Sequence, residues 1–103
     1  MTELQSFKAL AKARIARDPA FREALLRESV ETMLAGDLET GKAALRDYIK
    51  ATIGFTALGE SIGTPSKSLI RMFGPKGNPK ADNLFKVLGY LQKEAGVRLH
   101  IAS

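Results

Sequence analysis

The side chains best suited to chemistry in this sequence are cations gathered in one short stretch. Between Thr64 and Lys80 no residue is acidic and four are basic: Lys67, Arg71, Lys76 and Lys80. Ammonium and guanidinium groups donate hydrogen bonds to phosphate oxygens and to the edge of guanine. Residues 55–103 carry seven Lys or Arg against three Asp or Glu, whereas residues 1–54 carry nine against eight. Such a local excess of positive charge is typical of a surface that contacts nucleic acid.

Groups that would carry catalysis or hold a metal are nearly absent. His100 is the single histidine and there is no cysteine. A histidine-based triad, a disulfide and a histidine–cysteine metal site are therefore excluded. The carboxylates are spread over separate predicted helix faces, which disfavours acid/base catalysis. We expect a protein that is not an enzyme and uses no cofactor and no metal.

The segment Thr56–Phe73, TALGESIGTPSKSLIRMF, has the pattern of two short helices joined by a tight turn. Thr56 is an N-cap candidate, which predicts a helix start at about Ala57. Gly63 stands where a helix ends with a positive φ, a conformation that glycine adopts without steric cost. Gly59 is small enough to let a second helix pack closely against the first.

The second helix of this motif separates an apolar side from a polar side. Thr64 is its expected cap, and Pro65 is expected in its first turn, where a missing N–H costs nothing. Leu69 and Met72/Phe73 would face the core, which leaves four polar residues outside: Ser66, Lys67, Ser68 and Arg71. A glycine turn before a helix with a cationic leading end is what major-groove readers use. An ordinary helical hairpin in a small all-α protein is the alternative, and the charge distribution favours DNA binding.

Residues from about Asp37 to Ile101 resemble the lambda-repressor/Cro (XRE) type of helix-turn-helix domain. The run SLIRMFGPKGNPKADNLFKVLGYL is similar to the addiction-module antidote regulators, which include the HigA-type antitoxins. The resemblance implies a repressor-type helix-turn-helix bundle and a sequence-specific transcriptional regulator, the antitoxin of a toxin–antitoxin module that represses its own operon. The alternatives are a protein-interaction module that mainly neutralises a toxin, and an orphan phage-type DNA-binding regulator. The chain departs from the family pattern at Pro65-Ser66, Gly59 and Ile70, which bears on the base pairs that are read.

On the DNA-binding hypothesis the predicted site residues fall into two groups. The base-reading group is Ser66, Lys67, Ser68 and Arg71. The phosphate-contacting group is Thr56, Thr64, Lys76 and Lys80. The last two lie in the turn-rich loop Gly74–Lys80, GPKGNPK, which lacks the form of a P-loop. This loop is either a clamp on the DNA backbone or a plain surface loop, and both alternatives stay open.

Helical periodicity and cap residues predict the remaining elements. The helices are expected at roughly Glu3–Arg17, Pro19 to about Ala35 with Asp18 as its cap, about Leu38–Ile53 with Asp37 as its cap, and about Ala81–Ala95. Gly41 interrupts the third of these, so something is expected to approach closely there. Val97–Ile101 alternates with period two and predicts a short strand. The expected fold is an all-α bundle of about five to six helices with a short C-terminal strand.

The sequence favours a single domain over residues 1–103. We divide it into an N-terminal helical extension (1–36), a helix-turn-helix core (37–96) and a strand or tail (97–103). No stretch approaches the roughly 18 apolar residues of a membrane span, and the N-terminus lacks an apolar signal region. We therefore expect a cytoplasmic protein that does not associate with membranes.

The expected partners are double-stranded DNA, through its major groove, and a second copy of the chain, with a toxin protein as the further candidate. One motif of this size reads only a few base pairs, so a homodimer is expected to place two of them about one turn of DNA apart. Two interfaces are considered. The strands Val97–Ile101 could pair antiparallel, or the apolar surface of Phe21–Met33 could form the seam.

Overall fold

The chain is helical in most of the part that the structure describes. The computed structural model describes residue 10 and residues 12–96. We number its six helical segments in chain order: α1 (residues 12–17), α2 (Pro19–Leu34), α3 (Leu38–Ala51), α4 (Phe55–Ile62), α5 (Ser66–Met72) and α6 (Ala81–Ala95). The predicted all-α class is confirmed for these residues, and α6 has the predicted bounds. The predicted strand Val97–Ile101 and the predicted start of the first helix lie outside them.

Aspartates begin α2 and α3, as the sequence predicts. Asp18 Oδ1 accepts a hydrogen bond from the Phe21 backbone N–H at 3.1 Å, and Asp37 Oδ1 accepts one from the Thr40 backbone N–H at 3.1 Å. The Phe21 bond lowers the pKa of Asp18 below its ordinary value of 3.8. Bonds from the Thr40 hydroxyl and backbone N–H likewise lower the pKa of Asp37. Each cap thus satisfies a free N–H and places negative charge at the positive end of a helix.

The end of α3 comes two residues earlier than the sequence pattern predicts, at Ala51 rather than Ile53. Thr52 closes it: the hydroxyl of this residue donates to the Tyr48 carbonyl at 2.8 Å, and its backbone N–H donates to the same oxygen at 3.1 Å. Gly54 then has a φ of +83°, which glycine adopts without strain. The chain can therefore turn sharply from α3 into α4.

The core is one cluster to which every helix from α2 to α6 contributes. Phe55 begins α4 and Phe73 follows α5, and their ring centroids lie 6.2 Å apart. The other buried members are Leu26, Leu45, Tyr48, Ile49, Leu58, Leu69, Val87, Leu88 and Leu91. Burial raises the pKa of the Tyr48 hydroxyl. The arrangement packs α4 against both α5 and α6, and it buries only Leu69 of α5 fully, so the other side of α5 faces solvent.

The close approach predicted at Gly41 is confirmed, and it joins α2 to α3. A Cβ at this position would collide with the Met33 side chain and would lie 2.8 Å from the Ser29 carbonyl oxygen. Three apolar side chains of α2 are partly buried and pack against the core: Leu25, Val30 and Met33. The apolar surface of α2 that was considered as a dimer seam is therefore used mainly within the chain.

Candidate nucleic-acid interface

Helices α4 and α5 are joined by the three residues 63–65, the turn length of a helix-turn-helix. Gly63 has φ +73° and ψ +32°, so the left-handed conformation predicted for it is confirmed. The Thr64 backbone N–H donates to the Gly59 carbonyl at 3.0 Å. A Cβ at Gly59 would collide with the Thr64 carbonyl oxygen and would lie 3.3 Å from the Ser66 nitrogen. The prediction that Gly59 lets the second helix pack closely is confirmed.

The predicted caps of these two helices are wrong. Helix α4 begins at Phe55 after Gly54, and the Leu58 N–H donates to the Gly54 carbonyl at 3.1 Å. Thr56 therefore lies inside the first turn, with its side chain exposed, and does not cap the helix. The reason is that the positive φ of Gly54 lets the chain enter the helix two residues before the predicted start.

The start of α5 is displaced in the opposite direction, one residue later than predicted. Pro65, with φ −56° and ψ +136°, occupies the N-cap position, and no side chain caps the helix. Its carbonyl accepts hydrogen bonds from the backbone N–H groups of Ser68 at 3.0 Å and Leu69 at 3.2 Å. Pro65 is still extended, so the first residue with helical geometry is Ser66. Thr64 lies in the turn and does not cap α5.

The predicted base-reading side of α5 faces outward. Leu69 is 1% exposed, and it anchors the inner side of the helix. Lys67, Ser68 and Arg71 are exposed, and Ser66 is partly buried. Ile70, also on the outer side, is 50% exposed. A partner that approaches α5 would meet two cations, two hydroxyl groups and one aliphatic side chain.

Five of the eight predicted site residues line one cavity of about 560 Å³ between α5, the loop that follows it and the start of α6. They are Thr64, Ser68, Arg71, Lys76 and Lys80. The cavity thus brings together two residues of the predicted base-reading group and three of the predicted phosphate-contacting group. Thr56, Ser66 and Lys67 are not part of the cavity lining.

The sequence analysis overlooked three side chains that α6 and the loop add to this cavity: Asn78, Asn83 and Lys86. Four cations now line the cavity, and no carboxylate does. Within the described residues none of the four forms a salt bridge, because the ion pairs there are Arg14–Asp18, Arg27–Glu23 and Lys42–Glu39. The positive charge of the cavity is therefore available to an anion from outside.

Lys42 holds the loop of the cavity in place, and the sequence analysis missed it. Its side chain is 2% exposed, and Nζ donates to the Gly77 carbonyl at 2.6 Å and to Glu39 Oε1 at 3.1 Å. One turn later, Arg46 Nη1 donates to the Phe73 carbonyl at 3.5 Å. A signal existed: Lys42 lies four residues after Leu38 and three before Leu45, on the apolar side of α3.

Gly77 shows how tightly the loop is packed. A Cβ at this position would collide with the backbone of the last turn of α5, at the carbonyl oxygens of Arg71 and Met72. The Gly77 N–H donates to the Gly74 carbonyl at 3.0 Å, which closes a turn within the loop. The loop that carries Lys76 is thus fixed between α3 and α5.

Other kinds of site find no support in the described part of the chain. No group of three or more His, Cys, Asp or Glu is placed there to hold a metal ion. None of the helices in residues 10–96 combines the length and the apolar character needed to cross a membrane. No protein-family model, curated protein or solved structure matches this chain.

Proposed function

We propose that this protein is a sequence-specific, DNA-binding transcriptional regulator that inserts α5 into the major groove. The observation that carries the proposal is the outward side of α5, flanked by cations without ion-pair partners in the described residues. With 7 residues, α5 is about 10 Å long at roughly 1.5 Å per residue. An α-helix with its side chains is about 10–12 Å in diameter, so the major groove, about 12 Å wide, admits it.

The side chains of α5 divide the work of recognition. Lys67 and Arg71 donate to O6 and N7 of guanine, and Arg71 can do so with two parallel bonds. Ser66 and Ser68 can donate to or accept from several base edges. Around α5, Thr56, Thr64, Lys76 and Lys80 contact backbone phosphates, which fix the position of the helix without reading sequence.

A homodimer belongs to the same proposal, because one seven-residue helix contacts too few base pairs for strong specificity. Two copies related by a two-fold axis would read a palindrome with half-sites about one turn of DNA apart. The resemblance to HigA-type antitoxins supports a narrower version, in which a cytoplasmic antitoxin represses its own operon. That version requires a toxin gene beside this one, and a gene neighbourhood without any toxin-like reading frame would count against it.

The test is the salt dependence of DNA binding. Lys76→Ala and Lys80→Ala should each weaken binding to all sequences and lower the slope of log K against log salt by about 1. Lys50→Ala is the matched control, because Lys50 is an exposed lysine far from the cavity. It lies near the end of α3, and this end borders the last turn of α6. The cavity lies at the opposite end of α6, beside the first turn of that helix. An unchanged slope in both loop variants would refute the phosphate assignment.

Base reading is tested separately by selection of binding sites from random DNA. Arg71→Ala and Lys67→Ala should lose preference at individual positions of the site, at about 1–3 kcal/mol for each bidentate contact. Unlike the loop variants, they should retain most of their affinity for random sequence. If each variant selects the same consensus as the unaltered protein, these side chains do not read bases.

A further inference from the structure

The first turns of α6 carry donors to which the DNA-binding proposal gives no role. Asn83 and Lys86 are three residues apart, so they lie on the same side of the helix. Both are exposed and both line the cavity. Neither side chain has a hydrogen-bond or ion-pair partner in the described residues. The neighbouring carboxylate of Asp82 bonds to the backbone instead: its Oδ1 accepts a hydrogen bond from the Asn83 backbone N–H at 2.9 Å.

The lining of the cavity is suited to an anion with several negative oxygens. Its polar side chains include four cations, two amides and two hydroxyl groups: Arg71, Lys76, Lys80, Lys86, Asn78, Asn83, Thr64 and Ser68. These groups come from α5, from the turn before it, from the loop and from α6, so donors approach the cavity from different sides. Its volume of about 560 Å³ falls within the range of roughly 300–1,000 Å³ usual for small-molecule sites.

The backbone around the cavity is held in place before any ligand arrives. Lys42 binds the loop from the side of α3 through the Gly77 carbonyl, and the Gly77 backbone lies against the last turn of α5. Lys76 and Lys80 flank this fixed residue. Since less of the loop has to be ordered on binding, more of the interaction energy is available for affinity.

We infer that the cavity is a phosphate-binding site in which Lys86 and Asn83 act together with Lys76 and Lys80. The charge and the volume suit two neighbouring phosphoryl groups. These groups can come from consecutive positions of a DNA backbone, where the inference rests on the proposed function, or from a free diphosphate-bearing small molecule. The second source would let a soluble ligand compete with DNA for Lys76 and Lys80.

The experiment uses the full chain and has two arms. In the first, inorganic pyrophosphate is titrated into the protein by calorimetry at low salt, with sulfate at matched ionic strength as the reference anion. In the second, the salt slope of DNA binding is measured. Lys86→Ala is compared with Lys50→Ala in both arms, and a thermal melt checks that each variant is folded. Both substitutions remove one exposed lysine.

Loss of one charge-assisted hydrogen bond should weaken pyrophosphate binding about tenfold or more in Lys86→Ala, and leave Lys50→Ala unchanged. In the DNA arm, Lys86→Ala should lower the slope by about 1. A DNA effect without pyrophosphate binding supports the site and assigns it to the DNA backbone. If pyrophosphate binds and Lys86→Ala weakens that binding, but the protein binds no DNA, the site is supported and the proposed function is refuted. If Lys86→Ala matches Lys50→Ala in both arms, the inference is overturned.

Discussion

Replacement of Lys42 by methionine should destabilise the protein and loosen the loop that carries Lys76. Methionine keeps most of the apolar stem of the lysine but has no donor for the Gly77 carbonyl. That bond is 2.6 Å long and comes from a side chain that is 2% exposed, so water does not readily replace it. The substitution therefore tests the contact between α3 and the loop more than it tests core packing.

The magnitude follows from the two partners of Nζ. A hydrogen bond from a charged donor contributes about 1.5–3 kcal/mol. The ion pair with Glu39 adds about 0–1 kcal/mol, because the Glu39 side chain is 66% exposed. Methionine also removes the cost of burying an ammonium group, which offsets part of the loss. We expect Lys42→Met to lower the free energy of unfolding by about 2 kcal/mol, or the melting temperature by roughly 10 °C.

Urea unfolding gives the global value, and amide hydrogen exchange at Gly77 gives the local one. The Gly77 N–H is bonded to the Gly74 carbonyl within the loop, so its exchange should be faster in Lys42→Met. Lys50→Met is the control for loss of a lysine, and Glu39→Gln the control for loss of the ion pair. Two results would refute the role given to the Gly77 carbonyl. One is a free energy of unfolding for Lys42→Met within about 0.5 kcal/mol of that of the unaltered protein. The other is a Glu39→Gln variant that is destabilised as much as Lys42→Met.

Two further predictions concern local backbone and caps. Alanine at Gly63 and at Gly89 adds a methyl group that meets no neighbouring side chain or distant backbone within 4 Å, but only Gly63 has positive φ. Urea unfolding should therefore show that Gly63→Ala is destabilised by about 1 kcal/mol and that Gly89→Ala is stabilised by roughly 0.5–1 kcal/mol. A change of the same sign in both variants would contradict the backbone argument. The lowered pKa values of Asp18 and Asp37 mean that both caps stabilise the fold above pH 3.8 and lose this effect as the pH falls through the folded pKa. Asp37→Asn should flatten the fall in unfolding free energy below pH 3.8, and an unchanged curve would show that this cap is not coupled to stability.

The features that the sequence predicted correctly depend on short stretches of chain. The caps of α2 and α3 need an aspartate and a backbone N–H three residues later. The close contacts at Gly41 and Gly59 follow from a glycine inside a helical pattern, a position where glycine is unfavourable unless space is required. The wrong starts of α4 and α5 have the same local character, since Gly54 and Pro65 each shift a boundary by one or two residues.

The cavity could not be predicted in the same way, because long-range contacts form it. The bond from Lys42 to Gly77 spans 35 positions in the chain, and that from Arg46 to Phe73 spans 27. A lysine on the apolar side of α3 indicates that a partner is needed there, but its spacing does not name a carbonyl in a distant loop. Lys86 was overlooked for a related reason: only the fold turns the start of α6 toward α5.

The distribution of ion pairs separates two kinds of cation that a count of charges treats alike. In the first half of the chain, Arg14 and Arg27 pair with carboxylates one turn away, and Lys42 is held by Glu39 and the loop. Around the cavity no described carboxylate pairs with a cation. Like charges repel, and such repulsion lowers stability unless counterions or a ligand relieve it. Three paired cations thus help to hold the helices and the loop. Of the unpaired cations, we propose a negatively charged partner only for those that share the cavity: Arg71, Lys76, Lys80 and Lys86.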